Sequence, residues 1–193
     1  MTRRRPFLYL ALALLASCGT ASVPYSSTSA SQAALHASAA SLETSNEVDG
    51  IRNFHEVHPT LFRSGELAAT NAAELQAHGI RTVLSLQNYS RKDAATEQHW
   101  LAAAGIQFIW LPMSPFEKPT VAAINQALAD IDVVADQPID VHCALGSDRT
   151  GIVVAAYRIK YDGWTYDQAV AEMRTYGHSV FLRWWDSVLK NIH

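Results

Sequence analysis

One stretch constrains this chain more than any other: IDVHCALGSDRTGIVVAAYR, residues 139–158. It begins as an apolar run typical of a buried strand and ends with the pattern of a helix. Between Cys143 and Arg149 the chain has to turn sharply, so successive backbone N–H groups can converge on one anion. The start of the following helix adds positive potential at the same place. The stretch therefore predicts an anion-binding loop with a cysteine at its base, an environment that favours a nucleophilic thiolate.

Strand and helix patterns alternate along the rest of the domain. Apolar segments predict strands at FHEV, TLFR, IRTVLSL, IQFIWL and PIDVHC, the first two joined as a hairpin. Helices are expected at 72–78, in DAATEQHWLAAA, at 120–135, at 150–160 and after the capping pair Thr165 and Gln168. This alternation predicts an α/β fold with a mainly parallel central sheet flanked by helices. Ligands of such sheets bind beyond the carboxyl ends of the strands, where Cys143 would lie.

Composition limits the number of domains and the partners. With 193 residues, 49% of them hydrophobic, the chain can support one well-cored domain. Its net charge is −3, and no basic block follows the first few residues, so nucleic acid is not an expected partner. No spacing among the histidines and cysteines resembles a metal site, and neither a metal nor another cofactor is expected.

The N-terminus is expected to be a targeting segment. Residues 1–17 join three arginines to an apolar run too short to span a bilayer, as in a secretory signal peptide. The ending LASC resembles a bacterial lipobox, which implies lipidation of Cys18; an ordinary cleaved signal with a chance cysteine is the alternative. Residues 18–47, rich in Ser, Ala and Thr, predict a flexible tether, which leaves 48–193 as the domain. The expected location is the bacterial envelope, lipid-anchored at the periplasmic or extracellular face.

The segment HCALGSDRTG resembles the HCxxGxxRTG signature of cysteine-dependent protein phosphatases, the tyrosine and dual-specificity superfamily. The matching positions are His142, Cys143, Gly146, Arg149, Thr150 and Gly151. FRSGEL, GIRTVLSL and YDGWTYDQAVAEM are similar to small bacterial members of the dual-specificity type, so the resemblance covers about residues 54–177. It implies the dual-specificity-like phosphatase fold and hydrolysis of phosphomonoesters without a metal.

The resemblance also implies a role for each signature residue. Cys143 would attack phosphorus in line and form a cysteinyl-phosphate, which water then hydrolyses. Arg149 would hold two phosphoryl oxygens bidentately, while the loop amides hold the remainder. Thr150 would donate its hydroxyl to the sulfur, and His142 would orient the loop. The other expected substrate-binding positions are Ala144, Leu145, Gly146, Ser147 and Asp148.

A general acid must protonate the leaving oxygen, and superfamily members usually carry an aspartate for this purpose on a loop upstream of the cysteine. The corresponding loop, residues 112–119, has Glu117 as its only carboxylate, so Glu117 is one candidate. Asp148, inside the signature, is the other. Arg91 and Lys92 follow the strand IRTVLSL at the same sheet edge and are candidates for contact with substrate charge; a solvated helix start is the alternative.

Other functions compete with this interpretation. A Walker phosphate loop needs Lys and then Ser or Thr after its second glycine, whereas Gly151 is followed by Ile152 and Val153. A sulfurtransferase loop would not explain Arg-Thr-Gly, and Cys18 on a tail is a poor disulfide partner for Cys143. The first expectation is a protein tyrosine or dual-specificity phosphatase acting on an envelope phosphoprotein. The alternatives are a phosphatase for a phospholipid or inositol phosphate, and a phosphate-binding adaptor without turnover.

Overall fold

A computed structural model of the protein describes residues 47–48 and 50–193. The predicted signal peptide, the lipidation site Cys18 and the tether up to residue 46 lie outside the described residues. The described structure starts with a short antiparallel pair, β1 (Glu47–Val48) with β2 (Ile51–Arg52). Within these ranges, no helix combines the length and the apolar character needed to cross a bilayer.

A five-stranded sheet forms the centre of the domain. Its strands are β3 (His55–His58), β4 (Leu61–Ser64), β5 (Thr82–Ser85), β6 (Gln107–Trp110) and β7 (Ile139–His142). They lie in the order β3-β4-β7-β5-β6, with β3 and β4 as an antiparallel hairpin and every other pair parallel. The predicted α/β fold with a mainly parallel sheet is confirmed. The strand that leads to Cys143 is the central one.

Helices pack on both faces of this sheet. In the described region they are α1 (Ala72–Ala77), α2 (Arg91–Ala103), α3 (Val121–Ile131), α4 (Arg149–Lys160) and α5 (Tyr166–Thr175). The capping box predicted for Thr165 and Gln168 begins α5. The helix expected to reach about residue 135 ends at residue 131, and a separate 3₁₀ turn follows at Val134–Asp136. After α5, 3₁₀ turns continue through Val180–Asn191.

Side-chain alternation along the strands produces two cores and one polar layer. On one face, Leu61, Leu84 and Val141 pack with α3, α4 and α5, while on the other Phe62 and Val83 pack with α1 and α2. The parallel register then aligns the last residues of β4, β5 and β7 on the α2 face. These residues are polar and buried, and they lie directly beneath the loop that follows β7: Ser64, Ser85 and His142.

Candidate active site

The signature loop, residues 143–148, runs from the end of β7 into α4. Cys143 is only 2% exposed, is a free thiol and borders a cavity of about 270 Å³. The other residues that line this cavity are Pro115, Ala144, Leu145, Asp148, Arg149 and Trp185. The loop therefore lies beyond the carboxyl edge of the sheet, where the sequence places it.

Three carbonyl oxygens of the loop accept hydrogen bonds from donors outside it. The bonds are Glu66 N–H to Ala144 O (3.1 Å), Asn53 Nδ2 to Leu145 O (2.8 Å) and Arg63 Nη2 to Gly146 O (2.6 Å). A trans peptide unit points its N–H opposite to its carbonyl. The N–H groups of residues 145–147 are thus directed away from these outer donors, and none of them donates to an acceptor among the described residues. Three amides are available for the oxygens of one phosphoryl group.

The turn of the loop requires glycine at position 146. Gly146 has a φ of +69°, and a Cβ there would lie 2.7 Å from Ser64 O and 2.8 Å from Gly65 N. Any side chain would therefore clash with the backbone that follows β4. This contact joins the loop to the FRSG segment.

Arg63 is a buried cation beneath the loop. Its side chain is 1% exposed, and its guanidinium stacks on the ring of Tyr176 at 3.9 Å. Burial lowers the pKa of Arg63 to about 10, although nearby acidic groups raise it. Arg63 lies within the short buried strand β4, and a charge in such a position is rarely buried without a structural task.

Arg149 is oriented by backbone carbonyls. It is 8% exposed, and its Nη1 donates to Leu86 O (3.2 Å), after β5, and to Met113 O (3.3 Å), after β6. Its Nη2 and Nε make no hydrogen bond to a described residue and remain for an oxyanion. The guanidinium thus lies in the cavity wall with part of its fork free, as bidentate phosphate binding requires.

His142 is tied to helix α2 below the loop. Its ring is fully buried, with Nε2 at 3.1 Å from Glu97 Oε1, an ion-pair distance without well-aligned hydrogen-bond geometry. The Tyr89 hydroxyl bonds to Glu97 and also contacts Ser85 Oγ (2.6 Å). These contacts hold His142 against α2, and the predicted role of His142 in orienting the loop stays a prediction. Glu97 carries no sequence signal, because it is one charge among several on α2.

Asp148 is held by the segment that follows α5. Its Oδ1 lies 2.8 Å from His178 Nδ1 and accepts the Ser179 N–H at 2.8 Å. Although burial raises the pKa of Asp148, the contacts with His178 and Ser179 outweigh it, and the net shift is downward. An ionised Asp148 is unsuited to donating a proton near neutral pH, so its candidacy as general acid is disfavoured. It instead anchors the loop.

His178 links two carboxylates, the partly exposed Asp148 and the buried Asp186. Its Nε2 bonds to Asp186 Oδ1 at 2.8 Å, and Arg174 Nη2 lies 3.8 Å from the other oxygen of Asp186. Burial lowers the pKa of His178, but Asp148 and Asp186 together raise it above the ordinary value of 6.5. A histidine with a raised folded pKa contributes stability that is complete below 6.5 and is lost as pH rises through the folded pKa.

We expect the His178→Gln variant to be less stable than the wild type, with the largest difference at low pH. The free energies of unfolding of the two proteins, measured by urea denaturation at about pH 5.5 and about pH 8.5, should differ more at the lower value. His99→Gln is the control, because His99 is exposed. A stability difference independent of pH would mean that the imidazolium form of His178 does not hold these carboxylates.

Four other predicted site residues occupy positions that differ from expectation. Glu117 is exposed and lines a separate cavity with Met113, Lys118 and Thr120; the 112–119 loop contributes Pro115 to the Cys143 cavity instead. Arg91 lines a groove beside β6, and neither Arg91 nor Lys92 borders the Cys143 cavity, because α2 starts over the far edge of the sheet. The Thr150 hydroxyl is buried with no partner among the described residues, so the predicted hydrogen bond to sulfur is not formed.

A free thiol beneath a loop of unpaired amides, with an arginine fork beside it, defines the class: the cysteine-dependent phosphatase superfamily. Residues 61–163, more than half of the chain, match the family described as "Polymorphic toxin system, DSP-PTPase phosphatase", and the chain belongs to that family. The match runs from β4 to just beyond α4 and includes the whole signature loop. The segment that holds Asp148 lies outside it.

Two curated relatives are similar to this chain in sequence. The chain is 30% identical over 131 residues to the dual specificity protein phosphatase TpbA of Pseudomonas aeruginosa, covering 67% of this chain and 57% of TpbA. It is 29% identical over 137 residues to the inositol diphosphatase DSP5 of Arabidopsis thaliana, covering 68% of this chain and 64% of the relative. The chain thus spans little more than half the length of the first of these relatives.

Solved structures share the fold. A cysteine-to-serine form of P. aeruginosa TpbA in complex with pTyr has a TM-score of 0.60 at 26% identity and covers 72% of this chain and 83% of that one. The core catalytic domain of the PP-IP phosphatase SIW14 from S. cerevisiae has a TM-score of 0.66 at 20% identity, with coverages of 74% and 86%. The second likeness shows a common fold alone.

Proposed function

We propose that this domain hydrolyses phosphomonoesters through a cysteinyl-phosphate intermediate, with a phosphotyrosyl protein as the first substrate. The observation that carries the proposal is the arrangement of Cys143 beneath the three free amides of residues 145–147, beside the free part of the Arg149 fork. The family match supports the class of reaction. The pTyr complex of TpbA supports the choice of substrate.

The proposed reaction has two steps. The Cys143 thiolate attacks phosphorus, the bond from phosphorus to the leaving oxygen breaks, and the leaving group departs as a phenolate, which takes its proton from solvent water afterwards. Water then attacks the phosphorus of the cysteinyl-phosphate, inorganic phosphate leaves, and the thiolate is restored. In both steps the amides and Arg149 hold the equatorial oxygens, where the transition-state charge is spread.

The position of the carboxylates favours an aryl leaving group. Glu117 lines a different cavity, and the lowered pKa of Asp148 keeps that carboxylate ionised, so no residue that lines the cavity is suited to donate a proton. A phenol, with a pKa near 10, departs without protonation far more readily than an alkoxide. Phosphotyrosine is therefore preferred to phosphoserine or phosphothreonine.

We expect kcat/KM to fall steeply across a series of aryl phosphates as the pKa of the leaving phenol rises. The reason is that little proton transfer to the leaving oxygen accompanies bond cleavage. Glu117→Gln should not make this dependence steeper. Asp148→Asn, which alters the other candidate acid, should leave the steepness unchanged as well. A shallow dependence in the wild type that becomes steep in Glu117→Gln would instead identify Glu117 as the acid, reached by movement of the 112–119 loop.

One assay separates an enzyme from a phosphate-binding adaptor. Purified protein should release phosphate from p-nitrophenyl phosphate over many turnovers, at the same rate with EDTA present, because the proposed groups are all side chains and amides of the chain. Saturable phosphate binding without turnover would support the adaptor. An inositol diphosphatase activity, as in the name of the Arabidopsis relative, is the substrate alternative, to be tested with an inositol pyrophosphate in the same assay.

We also propose that the domain is lipid-anchored in the bacterial envelope through Cys18, with residues 18–47, the predicted tether, joining the anchor to the domain. The support is the pattern of residues 1–18 in the sequence. Full-length protein expressed in a bacterial host should incorporate labelled palmitate, and Cys18→Ala should abolish the incorporation. Equal labelling of both proteins would contradict the anchor without bearing on the catalytic proposal.

A further inference from the structure

Exposed apolar side chains are concentrated at the mouth of the Cys143 cavity. Of seven large hydrophobic residues exposed in the described chain, five belong to segments that line or contact this cavity. We call these five the apolar rim: Phe116, Leu145, Val180, Phe181 and Trp184. Phe116 and Phe181 are 84% and 87% exposed, so their rings have almost no packing partner in the protein.

Each rim residue is adjacent to the site. Phe116 follows Pro115 and Trp184 precedes Trp185, both of which line the cavity, and Leu145 lines it directly. Val180 and Phe181 follow Ser179, whose N–H donates to Asp148 Oδ1. The rim therefore comes from three segments that meet around one opening.

The rim segments are also joined to one another. Lys118 Nζ, on the 112–119 loop, donates to Ser187 Oγ at 3.2 Å, and Ser187 Oγ donates to Trp184 O at 2.8 Å. The loop before α3 and the C-terminal 3₁₀ segment thus form one surface. The C-terminal part of this surface lies beyond the family match, which ends at residue 163.

Charge restricts what can occupy this surface. The 112–119 loop and the C-terminal segment Val180–Asn191 carry three cations, Lys118, Arg183 and Lys190. Two of them already have contacts, because Lys118 donates to Ser187 and Lys190 lies over the ring of Tyr166. Between residues 50 and 193 there are 12 lysines and arginines against 15 aspartates and glutamates. An inositol polyphosphate would need several cations around the mouth, and an anionic bilayer would be repelled by the net negative domain.

We propose that the apolar rim binds a polypeptide, namely the apolar side chains that flank the phosphorylated residue of a protein substrate. This inference rests on the proposed function and specifies its substrate class. The phosphoryl group enters the cavity, while flanking side chains such as Leu, Phe or Val cover the rings of Phe116 and Phe181. Burial of that apolar surface provides the selectivity.

The test compares two phosphotyrosyl peptides of equal length and charge, one with Leu, Phe and Val around the phosphotyrosine and one with Ser, Gly and Thr. The apolar peptide should have a kcat/KM about ten-fold higher. For each variant, the kcat/KM for the apolar peptide is divided by the kcat/KM for p-nitrophenyl phosphate. In Phe116→Ser and Phe181→Ser this ratio should fall about ten-fold relative to the wild type. Val133→Ser is the matched control, because Val133 is exposed but lies away from the mouth, and its ratio should not change.

Three outcomes would overturn the inference. In the first, the two peptides have equal kcat/KM. In the second, Val133→Ser lowers the ratio of peptide to p-nitrophenyl phosphate turnover as much as the rim variants do. In the third, the rim variants lose binding to neutral phosphatidylcholine vesicles but keep their selectivity between the peptides. The last would assign the rim to a membrane. Absence of any turnover of p-nitrophenyl phosphate would contradict the proposed function alone, and the affinities of the two peptides, measured by fluorescence anisotropy, would still test the rim.

Discussion

Replacing Cys143 by serine is expected to reduce kcat for aryl phosphates by at least about 10⁴-fold. A serine hydroxyl is protonated at neutral pH and is a far weaker nucleophile than a thiolate. The loop should persist in Cys143→Ser, because its carbonyls are held by Asn53, Arg63 and Glu66 and not by the sulfur. The variant should therefore bind phosphate or a phosphotyrosyl peptide without turning it over.

The measurement pairs steady-state kinetics with calorimetric binding on the same preparation. Loss of turnover with binding retained is the result expected of a missing nucleophile. Loss of both would indicate a collapsed loop, in which case Cys143→Ala distinguishes a steric from a chemical cause. Retention of turnover in Cys143→Ser within ten-fold of the wild type would exclude the covalent mechanism.

Local patterns in the sequence were sufficient to predict most of the fold. The apolar run ending at His142, the glycine turn and the helix after Arg149 each depend on neighbouring residues, so position and order followed from periodicity and capping. The predicted capping box of α5 depends on two residues three positions apart and forms as expected. The parallel arrangement followed from strands separated by helices.

The supports of the loop could not be predicted in the same way. Asn53 is 92 residues from the carbonyl that it binds, and Arg63 is 83 residues from Gly146. Asp148 is anchored by His178 and Ser179, about 30 residues further along, in the connection between α5 and the C-terminal 3₁₀ segment. Such contacts depend on the register of the sheet and on how the C-terminal segment crosses its edge. No local pattern in the sequence specifies either.

Three residues predicted to belong to the site lie elsewhere in the structure, and the reason is related. Glu117, Arg91 and Lys92 all follow strands at the correct edge of the sheet, so topology alone brings them near the site. Which way a loop residue points is decided by the loop's own packing. In the 112–119 loop, Met113 is buried and its carbonyl accepts from Arg149, Pro115 borders the cavity, and Glu117 lines a separate cavity. Position at a sheet edge is therefore a weaker indicator than membership of the signature.

Arg149 is the residue for which charge and geometry can be separated. Its Nη1 donates to Leu86 O and Met113 O, and the rest of the fork is free beside the cavity. Lysine keeps the positive charge but provides a single ammonium group, which cannot bond both backbone carbonyls and still hold two phosphoryl oxygens. If charge alone mattered, Arg149→Lys would retain most of the activity.

We expect Arg149→Lys to lower kcat by roughly 10²- to 10³-fold, with a rise in KM as well. Arg149→Ala should be worse, and added guanidinium should partly restore its activity but not that of Arg149→Lys, because only the alanine variant leaves room for the missing group. The control is Arg91→Lys, which alters an arginine outside the cavity and should retain wild-type kinetics. If Arg149→Lys kept kcat/KM within three-fold of the wild type, electrostatic attraction alone would be enough, and the fork would have no part in holding the phosphoryl oxygens.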